Sequence, residues 1–167
     1  FLHTRANRAG LDQVIHAARR AGSAVETGLG DLADPGTAAA LVAAATGRYG
    51  RLDHLVANAG FADRRRFGVL DQAGLDASLA AMTGGFFRLA TAALPALAQS
   101  PAGRVVAVSS FVAHVFRLGG VGFPASAAAK AAVEGLAKAL AAQAAGSGVT
   151  VNCVVPGYGR KDQGARS

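Results

Sequence analysis

The chain alternates short apolar runs with alanine-rich stretches of helical period, and this alternation restricts its fold more than any other feature. Apolar runs occur at residues 1–4, in "SAVETGL", in "DHLVANAG", in "RVVAVSS" and in "GVTVNCVV". Between the first two, "AGLDQVIHAARRAG" sets Leu11, Val14, Ile15 and Ala18 on one helical face. Asp34 reads as an N-cap with Pro35 in the first helical position, and Gly50 reads as the stop of that helix. Residues 72–99 repeat Leu75, Leu79, Met82, Phe86 and Leu89 at helical spacing, and residues 126–145 read as another helix. Strands that are apolar on both faces, each followed by a helix, predict an α/β fold with a doubly wound parallel sheet covered on both sides. With no internal repeat and no low-complexity linker, residues 1–167 read as a single domain.

Composition removes several function classes. A 51% hydrophobic content over 167 residues supports a packed core. One cysteine, Cys153, excludes an internal disulfide, fits a reducing, cytoplasmic setting and is expected to pack in a buried strand. No apolar run approaches the ~20 residues that span a bilayer, and the opening does not read as a signal peptide. The net charge of +7 is dispersed apart from the run Arg64–Arg66. No zinc-ligand pattern or row of stacking aromatics accompanies that run, so a solvated loop is expected there and a nucleic-acid partner is disfavoured.

In open parallel sheets, ligands bind beyond the carboxyl ends of the strands. Those ends fall at Thr4-Arg5, Asp31-Leu32, Asn58–Gly60, Ser109-Ser110 and Pro156-Gly157.

The order of these signals resembles the short-chain dehydrogenase/reductase family. "GRLDHLVANAG" is similar to that family's segment ending in Asn-Ala-Gly, here Asn58, Ala59 and Gly60. "GRVVAVSS" is similar to its strand ending in the active-site serine, which falls at Ser110. "ASAAAKAAVEGLAKALA" resembles its Tyr-x-x-x-Lys helix, and "GVTVNCVVPG" its strand and Pro-Gly loop. The resemblance implies a Rossmann-type fold, an NAD(P) cofactor, a small carbonyl or alcohol substrate, and a homodimer or homotetramer. It also implies roles: Ser110 holding the substrate oxygen, and Lys130 lowering the pKa of a phenol while holding the cofactor ribose. Positions 126 and 130 share one helical face, as that pairing requires.

The departures are as informative. The phenol's position holds Ser126, a far weaker acid than tyrosine. Ala81 and Met82 stand where the family's relay asparagine is expected, and "YGRKD" follows the Pro-Gly where a threonine is usual. The family's first strand and its glycine-rich turn are not found, and "TGLGDL" and "LGGVG" do not substitute. The chain therefore reads as a fragment lacking the first and the C-terminal strand.

Candidate catalytic residues are Ser110, Ser126 and Lys130. Candidate cofactor contacts are Arg5, Asp31, Leu32, Asn58, Ala59, Gly60, Lys130, Pro156 and Gly157. Plain alternatives stand beside them: a solvated Lys130 or Asp31, a turn serine at Ser110, and Asn58 tying strands together. With Arg5 at a strand end and no acidic residue competing there, NADP is favoured and NAD stays possible. His114, Arg117 and Tyr158 are the candidates to replace the lost acid, with binding of an anionic substrate as the alternative for His114 and Arg117. No metal site is expected. Two functions stay open: an NAD(P)-dependent oxidoreductase with altered catalytic residues, or a catalytically silent homologue kept for cofactor binding or oligomerisation.

Overall fold

A computed structural model describes residues 1–120 and 122–157. Strand β1 (Leu2–Thr4) is followed by α1 (Arg8–Arg20), β2 (Thr27–Leu29), α2 (Thr37–Tyr49) and β3 (His54–Ala57). Then come α3 (Gln72–Ser78), a π-helical segment (Leu79–Gly84), α4 (Gly85–Ala98), β4 (Arg104–Val108), a 3-10 turn (Phe111–Ala113), α5 (Pro124–Gln143) and β5 (Thr150–Val154). All pairings are parallel: β1 with β2 in one sheet, and β3-β4-β5 in another. This is the Rossmann-type α/β architecture.

Local chemistry explains most boundaries. The Asn7 side chain caps α1 by accepting the Gly10 amide at 3.0 Å, and Asp71 caps α3 through Gly74 at 2.9 Å. Gly50 closes α2 in the left-handed conformation, φ 72°, which costs a residue with a Cβ more than it costs glycine. The start of α2 differs from expectation. Asp34 and Pro35 belong to a turn, with the Asp34 amide on the Asp31 carbonyl and the Thr37 amide on the Asp34 carbonyl, so the helix begins at Thr37. The return from β2 uses those residues before helical geometry is reached. Helix α1 inserts Leu11 toward the core, while Val14 is 51% exposed against expectation.

The core sits between α4, α5 and one face of β4. Val105 and Ala107 alternate inward and meet Phe86, Ala90, Ala93 and Leu97 of α4 and Val133 and Ala137 of α5. A second cluster joins Leu32, Ala38, Leu41 and Leu89. The helices cover one face of β3-β4-β5; on the other, Val56 and Val154 are 60% and 49% exposed among the described residues. Cys153 is likewise exposed rather than packed in the core. By length and composition, the continuous helix Gln72–Ala98 is long and apolar enough to cross a membrane, contrary to the reading of the sequence. Its residues Phe86, Ala93 and Leu97 are spent on the core described above.

Gly103 lies buried between α4 and β4, where a Cβ would stand 2.5 Å from the Leu97 carbonyl oxygen and 3.0 Å from Val149. The obstacle is backbone and cannot swing away. Gly103→Ala is expected to lower stability by about 1–3 kcal/mol, read by urea unfolding; an unchanged midpoint would contradict this packing.

Candidate active site

A cleft of about 780 Å³ runs between β1 and β3 along their whole length, from Phe1 and Arg51 to the carboxyl ends at Arg5 and Asn58–Gly60, and takes in the loop after β2. Its walls carry Arg5, Asp31, Leu32, Asn58, Ala59, Gly60 and Lys130, and Leu41, Leu52, Leu55 and Leu89 form an apolar floor. Arg5, Asp31-Leu32 and Asn58–Gly60 meet there because parallel strands all end on the same side, and helices α2, α4 and α5 add Leu41, Leu89 and Lys130. Ser110, Ser126, Pro156 and Gly157 are not among the lining residues.

Lys130 is buried, and its Nζ donates to the Val108 carbonyl at 2.6 Å. No carboxylate pairs with it among the described residues. Burial pushes its ammonium pKa down. Gly60 makes this approach possible: a Cβ there would meet Lys130 Nζ at 3.2 Å and Met82 Sδ at 3.3 Å. Met82 reaches the cleft from the π-helical segment, whose wider turn leaves the Ala80 carbonyl to accept Arg88 Nη2 at 2.8 Å. Thr83 Oγ1 ties the same segment to the Ala129 carbonyl of α5 at 3.0 Å.

The serines are held elsewhere. Ser126 Oγ accepts the Asp63 amide at 3.0 Å and donates to the Phe61 carbonyl at 3.4 Å, pinning the loop after β3. Ser110 caps the 3-10 turn by accepting the Val112 amide at 3.4 Å. The Pro156 carbonyl accepts the Phe111 amide at 3.0 Å. The Asn58 side chain is exposed and has no hydrogen-bond partner among the described residues. Tyr158 lies outside the described residues.

Two electrostatic features were not anticipated. Arg5 pairs with Asp31 at 3.7 Å, so an acidic residue does stand beside it, brought there by the parallel pairing of β1 and β2. Arg88 binds the Leu32 carbonyl through Nε at 3.2 Å and through Nη2, anchoring the loop after β2 to α4. The Arg64–Arg66 run ties loops together: Arg65 pairs with Asp63 at 2.7 Å and Asp71 at 3.0 Å, and Arg66 reaches the Gly120 carbonyl at 3.3 Å.

Reading the sequence also missed Glu134. Its carboxylate accepts a short bond from buried Ser109 Oγ and one of 2.8 Å with His114 Nε2. His114 is therefore engaged on α5 and does not line the cleft. The available signal was the spacing of Lys130 and Glu134, one helical turn apart on the face turned toward β4.

The Ser109 bond holds the Glu134 carboxyl below the usual carboxylate range, with His114 adding to the effect and burial opposing it. A depressed carboxyl pKa contributes stability above its unfolded value of about 4.3, lost as pH falls through the folded value. Ser109→Ala is expected to cost on the order of 1–3 kcal/mol near pH 7 and to flatten the acid limb of the stability profile. Urea melts between about pH 3 and 7 read both; an unaltered acid limb would show that Glu134 owes nothing to Ser109.

The sequence model of the family described as enoyl-(acyl carrier protein) reductase matches residues 1–166. Nodulation protein G of Azospirillum brasilense is 36% identical over 129 residues, covering 77% of this chain and 51% of the relative. A crystal structure from Burkholderia xenovorans, described as a short-chain dehydrogenase/reductase, superimposes with a TM-score of 0.82 at 31% identity, covering 90% of this chain and 58% of that one. A gluconate 5-dehydrogenase from Burkholderia cenocepacia, in complex with NADP and tartrate, gives 0.81 at 25% identity, with 94% and 60% covered. The chain thus spans about half the length of the curated relative, 51%. Sequence, sheet topology and the common cleft agree: the chain belongs to the short-chain dehydrogenase/reductase family.

Proposed function

We propose that this chain is the greater part of the nucleotide site of an NAD(P)-dependent oxidoreductase that acts on a small carbonyl or alcohol. The observation that carries the reading is that Arg5, Asp31, Gly60 and Lys130 line one cleft of about 780 Å³, floored by apolar side chains. The fit to a dinucleotide rests on this structure: Gly60 clears space beside the Lys130 amine that a Cβ would fill. When bound, the nicotinamide would supply hydride transfer to or from the substrate carbon. Lys130 would hold ribose hydroxyls, Asp31 and Leu32 the adenine end, and Asn58–Gly60 the backbone side of the cofactor.

NADP is favoured over NAD. The Arg5 side chain is 70% exposed and its pair with Asp31 spans 3.7 Å, a loose surface contact that a phosphate can displace. The gluconate 5-dehydrogenase neighbour was solved with NADP. Proton transfer would need an altered donor, because Ser126 is a weak acid bonded into the loop after β3. That bonding also favours the second reading, a silent member that binds cofactor or assembles with its own kind. Exposed Phe87 on α4 and exposed Ala128 and Ala131 on α5 suit a homo-oligomeric contact.

Calorimetry with NADPH and NADH tests the main reading on the full chain. Arg5→Ala is expected to weaken NADPH binding about tenfold or more, the worth of a charge-assisted bond to phosphate, and to leave NADH binding unchanged. Equal losses would remove Arg5 from the phosphate site, and no binding of either nucleotide by folded protein would overturn the oxidoreductase reading. Carbonyl reduction by Ser126→Tyr alone would assign the wild type to the silent class.

A further inference from the structure

The Lys130 amine has an arrangement that goes beyond holding a ribose. Its Nζ stands at the cleft wall, on the Val108 carbonyl and beside Gly60. No carboxylate neutralises it among the described residues. The Val108 carbonyl takes one N–H at 2.6 Å, which fixes the nitrogen at the cleft wall. The residue one turn earlier, Ser126, is spent on Phe61 and Asp63, so no acidic side chain there shares the lysine proton. An ammonium in such surroundings loses solvation without gaining a counter-charge, which draws its pKa down. Desolvated lysines in apolar pockets are nucleophiles toward carbonyl compounds.

We propose that Lys130 is an amine nucleophile that condenses reversibly with small aldehydes entering the cleft. The neutral amine attacks the carbonyl carbon and a C–N bond forms. Proton shifts through solvent then carry both amine hydrogens to the oxygen, which leaves as water, and an imine remains. No oxidant, reductant or metal is consumed. The inference stands on the amine and its surroundings and does not require that a nucleotide bind.

The experiment uses the full chain, butanal and sodium cyanoborohydride at neutral pH without nucleotide, followed by peptide mapping. Cyanoborohydride traps each imine as a stable secondary amine. Exposed Lys138 is the internal control. Lys130 is expected to be alkylated on the order of tenfold faster than Lys138, with its rate levelling off at lower pH. Modification of Lys130 no faster than Lys138, or with the same pH profile, would overturn the proposal. Lys130→Met should abolish only the fast phase; because the wild-type comparison decides the matter, a variant that misfolds does not obscure it. An added NADPH arm separates the two readings. Fast labelling that NADPH fails to slow would leave this inference intact and count against the cofactor site, whereas slow labelling beside calorimetric NADPH binding would do the reverse.

Discussion

Helix α5 is stitched to the carboxyl end of β4 by polar atoms in a buried seam, and the site depends on that seam. Lys130 Nζ binds the Val108 carbonyl, and Ser109 Oγ binds Glu134. Buried polar groups are costly unless paired, so these pairings penalise rotation or sliding of α5 far more than the alanine contacts around them do. Small-residue packing lets a helix approach closely but specifies its register poorly. Here two adjacent residues at the strand end and two residues one turn apart on the helix supply the register.

From that seam the cleft follows. Fixing α5 fixes where Lys130 enters, and Gly60 on the neighbouring strand end leaves room for it. The π-helical segment is tied to α5 through Thr83 and delivers Met82 to the same wall. Arg88 binds both the freed Ala80 carbonyl and the Leu32 carbonyl, linking the irregular turn to the loop after β2. One guanidinium thus holds two walls in relation. The opposite rim, with Arg5 and Asp31, comes from the separate β1-β2 pair.

Membership of the family and the chemistry of this member are different questions. The groups facing the cleft are ones that can hold a ligand: an amine, an arginine with its aspartate, and strand-end backbone beside a glycine. The hydroxyls at positions 110 and 126 are engaged in local structure, as a turn cap and as a loop anchor. A serine bonded to Phe61 and Asp63 is a structural fastener. Position 126, where the family resemblance places a phenol, thus carries a loop anchor.

How much of this was legible in the sequence depends on the range of the interaction concerned. Strand and helix order, the Gly50 stop, the shared face of Ser126 and Lys130, and the strand-end positions around the cleft are all short-range properties. Periodicity, conformational freedom and one helical turn decide them. The cap of α2 was misread because a turn between Asp31 and Thr37 competes for the same residues. The Arg5–Asp31 pair, the reach of Arg88 to Leu32 and the Ser109–Glu134–His114 bonds join residues 26, 56, 25 and 20 positions apart. No local pattern encodes such contacts, because they arise where β1 pairs with β2, where α4 packs on the loop after β2 and where α5 docks on the end of β4. By itself the sequence determined an α/β chain with a lysine one helical turn after Ser126; the tertiary structure decided that the lysine is buried, bound to the Val108 carbonyl without a carboxylate partner among the described residues, and at a cleft wall, because only packing can withdraw an amine from water.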